Sequence, residues 1–89
     1  MLQKEFLIIN KLGLHARASA KFVALAARFQ SQIEVSKQTQ KVNGKSIMGV
    51  LMLAAAKGTQ ITIQAEGEDA KEAMTALGTL IQEKFGEEK

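Results

Sequence analysis

Gln32-Ile33-Glu34-Val35-Ser36-Lys37, followed after two residues by Gln40-Lys41-Val42 and the pair Asn43-Gly44, is the stretch that decides the fold. Its alternation puts Ile33 and Val35 on one face and Glu34 and Ser36 on the other, the pattern of a strand with one buried side. The short run at Gln40–Val42 reads as its hairpin partner, and Asn43-Gly44 as a turn. Outward toward the N-terminus, Ala16 to Phe29 turns helical, with Phe22, Leu25/Ala26 and Phe29 on one face. Before it lie a loop, Asn10–Leu14, and the bulky run 5–9, Glu-Phe-Leu-Ile-Ile, expected to be a strand with much of its surface buried.

Outward in the other direction, Ser46 is placed as the N-cap of an apolar helix running to about Ala56. Lys57-Gly58 closes it, with Gly58 suited to the left-handed position past a helix end. Gln60 to Glu66 alternates again, with Ile61, Ile63 and Ala65 on one face. Asp69-Ala70-Lys71-Glu72 has the spacing of a capping box, with Asp in place of Ser or Thr. The final helix carries Ala70, Ala73/Met74, Leu77, Leu80/Ile81 and Phe85 on its apolar face. The order β-α-β-β-α-β-α predicts an α+β open-faced sandwich: a four-stranded antiparallel sheet covered on one face by three helices.

Composition narrows the function. The 89 residues are 46% hydrophobic and 24% charged, a globular balance, and are read as a single domain spanning 1–89. With no Cys and one His, thiol chemistry, disulfides, Cys-based zinc sites and His-cluster metal sites are excluded. The longest apolar run, Val50–Ala56, is far shorter than the ~20 residues of a membrane-spanning helix, so no membrane insertion is expected. The start Met1-Leu2-Gln3-Lys4-Glu5 lacks the features of a signal peptide, and with the absence of Cys this predicts a cytoplasmic location. The net charge of +3 conceals a division: residues 1–65 hold nine Lys/Arg and two acids, residues 66–89 three and seven. A basic body raises the question of a nucleic-acid partner. No basic cluster here is interleaved with aromatic residues, so none is expected.

Two segments carry chemistry. In Gly13-Leu14-His15-Ala16-Arg17-Ala18-Ser19, His15 stands immediately before the first helical residue. A helix start presents unpaired amides and partial positive charge, which disfavours an imidazolium and keeps the ring nucleophilic. A phosphoryl group taken up by the ring would meet the free amides of Ala16 and Arg17, and the guanidinium of Arg17 matches a phosphate. In Asn43-Gly44-Lys45-Ser46-Ile47-Met48-Gly49-Val50, the helix behind Ser46 is apolar nearly all round. Val50, Leu53 and Ala54 form one stripe and Ile47, Met48 and Leu51 another; a small domain buries one, leaving the second as extra core or as a docking patch.

The His15 segment resembles the active-site pattern of the HPr family, histidine-containing phosphocarriers of the bacterial phosphotransferase system, Gly-aliphatic-His-Ala/Thr-Arg-Pro-Ala/Ser. Six of seven positions agree; Ala18 replaces the common Pro, keeping the helix start while exposing one more amide. Lys45-Ser46-Ile47-Met48-Gly49 is similar to the regulatory-serine region of the same family. The resemblance implies a carrier, not an enzyme: His15 accepts a phosphoryl group from the phosphohistidine of Enzyme I and passes it to enzyme II A domains, with Arg17 as charge partner and with no metal and no cofactor expected in the transfer. It implies phosphorylation of Ser46 by HPr kinase/phosphorylase and docking through Ile47, Met48 and Leu51. A monomer is expected, and the acidic last helix is expected to lie away from His15. Asn10–Gly13 and Leu51–Gly58 also resemble the nitrogen-related branch of the system, whose output is regulatory; the Lys45–Met48 motif favours the serine-regulated branch.

Overall fold

Ile61, Ile63 and Ala65 alternate with polar neighbours, and in the computed structural model, which describes all of Met1–Lys89, they lie on an inner strand of the sheet. The elements are β1 (Leu2–Leu7), α1 (Ala16–Ala26), β2 (Gln32–Lys37), β3 (Gln40–Asn43), α2 (Ile47–Met52), β4 (Gln60–Glu66) and α3 (Ala70–Gln82), followed by a short 3-10 turn at Lys84–Gly86. The sheet order is β1-β4-β2-β3, antiparallel throughout. β4 therefore enters between two strands made much earlier, pairing Phe6 with Ile61 on one side and Val35 with Ile63 on the other. Strand alternation sends Ile33, Val35, Ile61, Ile63 and Ala65 to the face under the helices. Phe22, Val50, Leu53, Leu77 and Ile81 meet them there from α1, α2 and α3. The opposite face, with Gln3, Glu5, Glu34, Ser36, Thr62 and Gln64, is polar. No helix is long and apolar enough to cross a membrane.

The α+β open-faced sandwich is thus observed, with several boundaries moved. β1 covers residues 2–7 instead of 5–9, and only Phe6 within it is buried, because an edge strand covered on one face by helices buries few of its side chains. Ile8 and Gly58–Thr59 extend its pairing beyond the strand: the Ile8 amide donates to the Thr59 carbonyl at 2.9 Å. α1 ends at Ala26, before Phe29.

α2 is half the expected length. It stops at Met52, and Ala54, not Gly58, takes the left-handed conformation after it (φ 51°). Ala54 is consequently exposed and not part of the buried stripe, whereas Val50 and Leu53 are buried as expected. Gly58 (φ 88°) instead serves the turn into β4.

Asp69 does not close a capping box. Its carboxylate accepts from the amides of Gln30 (2.8 Å) and Ser31 (2.9 Å) and from the Ser31 hydroxyl, tying the α1–β2 connection to the start of α3. The Ser31 hydroxyl first, and the Gln30 amide next, hold this carboxyl below its ordinary range. Gly67 (φ 148°) lies so close to Ser31 that a Cβ there would fall 2.5 Å from the hydroxyl oxygen.

Candidate functional site

The loop before α1 owes its shape to Gly13. Its φ of 67° is left-handed, and a Cβ would sit 2.5 Å from the Ala55 carbonyl oxygen. With no side chain there, the Leu14 amide donates to that same carbonyl at 2.9 Å. The segment after α2 thereby anchors the loop that starts α1. His15 follows in extended backbone as the N-cap, and its carbonyl accepts the first helical bond, from Ser19, at 2.8 Å. The amides of Ala16, Arg17 and Ala18 precede that bond and have no helical acceptor. The His15 side chain makes no capping bond and keeps about a quarter of its surface (27%) exposed.

One nitrogen of the ring is engaged. His15 Nε2 meets the carboxylate of Glu87, while no hydrogen bond forms at Nδ1. Glu87 comes from the residues after α3, which the sequence reading set apart from His15. The acidic segment is thus not wholly apart from His15: Glu87 and Glu88, beyond α3, return to line its cleft. The return is built by Lys84, Phe85 and Gly86, all in left-handed conformation, with Phe85 fully buried as an anchor outside α3. Lys21 Nζ donates to the Phe85 carbonyl at 2.7 Å.

The other Glu87 oxygen accepts from Asn10 Nδ2 at 2.9 Å, and the same Nδ2 donates to the Gly13 carbonyl at 2.8 Å. Asn10 is fully buried, and its Oδ1 has no partner. The Asn10 hydrogen bond first, and the His15 contact second, draw the Glu87 carboxyl below its ordinary range. Sequence reasoning missed Asn10 and Glu87. An Asn three residues before a turn glycine is a local turn signal, but nothing local points to Glu87.

The result is an open cleft of about 660 Å³ lined by Lys11, Leu12, His15, Ala16 and Arg17 with Glu87–Lys89. Arg17 is exposed on its wall. No three His, Cys, Asp or Glu side chains gather to hold a metal ion. The cleft can offer a ring nitrogen as nucleophile and, beside it, free amides and a guanidinium for an anion.

The second segment is separate in sequence but adjoins this loop through Ala55. Ser46 caps α2, its Oγ accepting from the Gly49 amide at 3.1 Å. Ile47 and Met48 are exposed, and Met52 (65%) and Leu12 (65%) join them as large exposed apolar side chains; Leu51 is half-buried. Of the expected patch, Ile47 and Met48 are thus at the surface and Leu51 is half-buried; Met52, one helical turn after Met48, adds to it.

The comparisons with known proteins converge. The family model described as "PTS HPr component phosphorylation site" matches residues 2–83. A Phosphocarrier protein HPr of Neisseria meningitidis is 58% identical over 87 residues, 98% of each chain, and one of Cupriavidus necator 55% identical over the same span. Among solved structures, HPr-C-His from Thermoanaerobacter tengcongensis is similar with a TM-score of 0.96 at 49% identity, covering 100% of both chains. An HPr dimer from the same organism gives 0.79 at 49% identity, covering 98% of this chain and 100% of that one.

Proposed function

The chain belongs to the HPr family of phosphotransferase-system phosphocarriers, and on that premise we propose that His15 takes the phosphoryl group through Nδ1. The observation that carries this reading is the division of labour on the ring: Nε2 is held by Glu87, and Nδ1 is free at a helix start with unpaired amides. The donor is the phosphohistidine of Enzyme I. The Nδ1 lone pair attacks phosphorus, the donor's P–N bond breaks, and its electron pair returns to the donor ring. The amides of Ala16 and Arg17 receive the phosphoryl oxygens, and the Arg17 guanidinium offsets their charge. The group then leaves for a histidine of an enzyme II A domain, so the product is the carrier's own modified state.

Ile47, Met48 and Leu51, with Met52 and Leu12, supply the apolar surface on which these partners dock, the methionines adapting to more than one of them. HPr kinase/phosphorylase is the third partner. Phosphate on Ser46 places about −1.5 to −2 charges beside the patch and alters partner choice without refolding. The monomer is the proposed working form, because cleft and patch are both complete within one chain, and the cytoplasm is its proposed location.

Incubation with Enzyme I and phosphoenolpyruvate, followed by intact-mass measurement, tests the reading. One acid-labile phosphoryl increment, absent in His15→Ala, is expected. No increment from an Enzyme I that phosphorylates another HPr overturns it. With the serine kinase and ATP, an acid-stable increment lost in Ser46→Ala is expected.

A further inference from the structure

Three groups beside His15 form, with its ring, a chain in which each fixes the orientation of the next. The first is the Gly13 carbonyl, which as a backbone oxygen accepts only. It takes one hydrogen of the Asn10 amide nitrogen, and the Glu87 carboxylate takes the other. The Asn10 amide is thus oriented without ambiguity, since the flipped amide would turn its oxygen against two acceptors. Its Oδ1 is buried without a protein partner. The remaining Glu87 oxygen faces His15 Nε2, and a carboxylate there requires Nε2 to carry hydrogen.

We propose that Asn10 and Glu87 act as an orienting relay that sets the tautomer of His15, Glu87 being a positioning residue for phosphoryl transfer and Asn10 the residue that positions Glu87. This rests on the carrier role proposed for His15 and deepens it. In the neutral ring the relay puts the proton on Nε2 and the lone pair on Nδ1, the nitrogen left without a hydrogen-bond partner. When the N–P bond forms, the Nε2 proton stays in place, the ring becomes a phosphoimidazolium, and its positive charge lies against the Glu87 carboxylate. The same logic operates wherever a carboxylate behind a histidine fixes its tautomer and balances the charge that develops. Lys21, which holds the Phe85 carbonyl, steadies the returning segment, and Lys11 and Arg17 line the same cleft.

The relay makes a prediction that a merely structural carboxylate does not. In Glu87→Gln the side-chain oxygen must take the Asn10 hydrogen, so the new NH2 group faces His15 Nε2. That nitrogen then has to accept, the ring proton moves to Nδ1, and the nucleophile is lost. Ring-nitrogen NMR of the unphosphorylated protein at about pH 8.5, where imidazole is ordinarily neutral, reads this directly. The expected result is an Nε2–H ring in the parent protein, an Nδ1–H ring in Glu87→Gln and a mixture in Glu87→Ala. Initial phosphorylation rates with phosphorylated Enzyme I are expected to fall about tenfold or more in Glu87→Gln and less in Glu87→Ala. Glu72→Gln, an equal charge change in the first turn of α3, is expected to leave both readouts unchanged.

A parent tautomer retained in Glu87→Gln, or a switched tautomer with an unchanged transfer rate, overturns the proposal. If the parent protein takes no phosphoryl group at all, the carrier reading fails, and the NMR result alone decides whether the relay sets the tautomer. Should Glu87→Gln lose its fold, Glu87→Ala decides by the same two readouts.

Discussion

A methyl group at residue 13 is opposed twice, once by the left-handed backbone and once by the Ala55 carbonyl 2.5 Å from where it would lie. Gly13→Ala is therefore expected to cost about 2 kcal/mol in urea unfolding and to slow phosphorylation, because the loop that presents His15 must shift. An unchanged midpoint would show that the loop relaxes freely. At this scale the sequence was informative where chemistry is local: a histidine before a helical run, a glycine two residues earlier, a serine at a second helix start. It was silent on Asn10 and Glu87, which lie 77 residues apart and meet only because the chain returns after α3. A glutamate in an acidic, polar stretch carries no local mark of such a contact.

The strands were legible from side-chain period because alternation is a local property: Ile33/Val35 and Ile61/Ile63/Ala65 read as buried faces and are buried. The ends of helices were not, since tertiary contacts decide them. α2 stops where the Ala55 carbonyl is needed by Leu14, although helix-favouring residues continue to Ala56. Stopping there forces Ala54 to φ 51°, which a residue with a Cβ adopts reluctantly. Ala54→Gly is accordingly expected to raise stability by about 1 kcal/mol, read as a higher urea midpoint at unchanged slope; a lower midpoint would mean that the Ala54 methyl contributes more than its backbone costs. Asp69 teaches the same lesson. Its spacing fits a helix cap, yet its carboxylate joins a loop 38 residues away in sequence.

Across the whole molecule, two carboxylates tie distant segments together, and both titrate below their ordinary values of 3.8 (Asp69) and 4.5 (Glu87). A carboxyl lowered by folding stabilises above its unfolded value and loses that contribution as pH falls through the folded one. Calorimetric melts from about pH 7 down to about pH 2 are expected to show Tm falling below about pH 4, and Asp69→Asn should flatten that acid limb while lowering Tm at neutral pH. An acid limb identical in the variant would remove Asp69 from the account. The charge division in the sequence also takes its final form here: Lys11 and Arg17 of the basic body line the His15 cleft, but Glu87 and Glu88 share it. That late arrival matters for how the molecule is made. His15 leaves the ribosome 72 residues before Glu87, about 4 to 14 s earlier at ordinary translation rates. A nascent chain thus displays its histidine long before the ring has its partner. On the proposed relay, a chain that does not yet carry Glu87 lacks the carboxylate that fixes the ring tautomer, and is expected to take up a phosphoryl group more slowly.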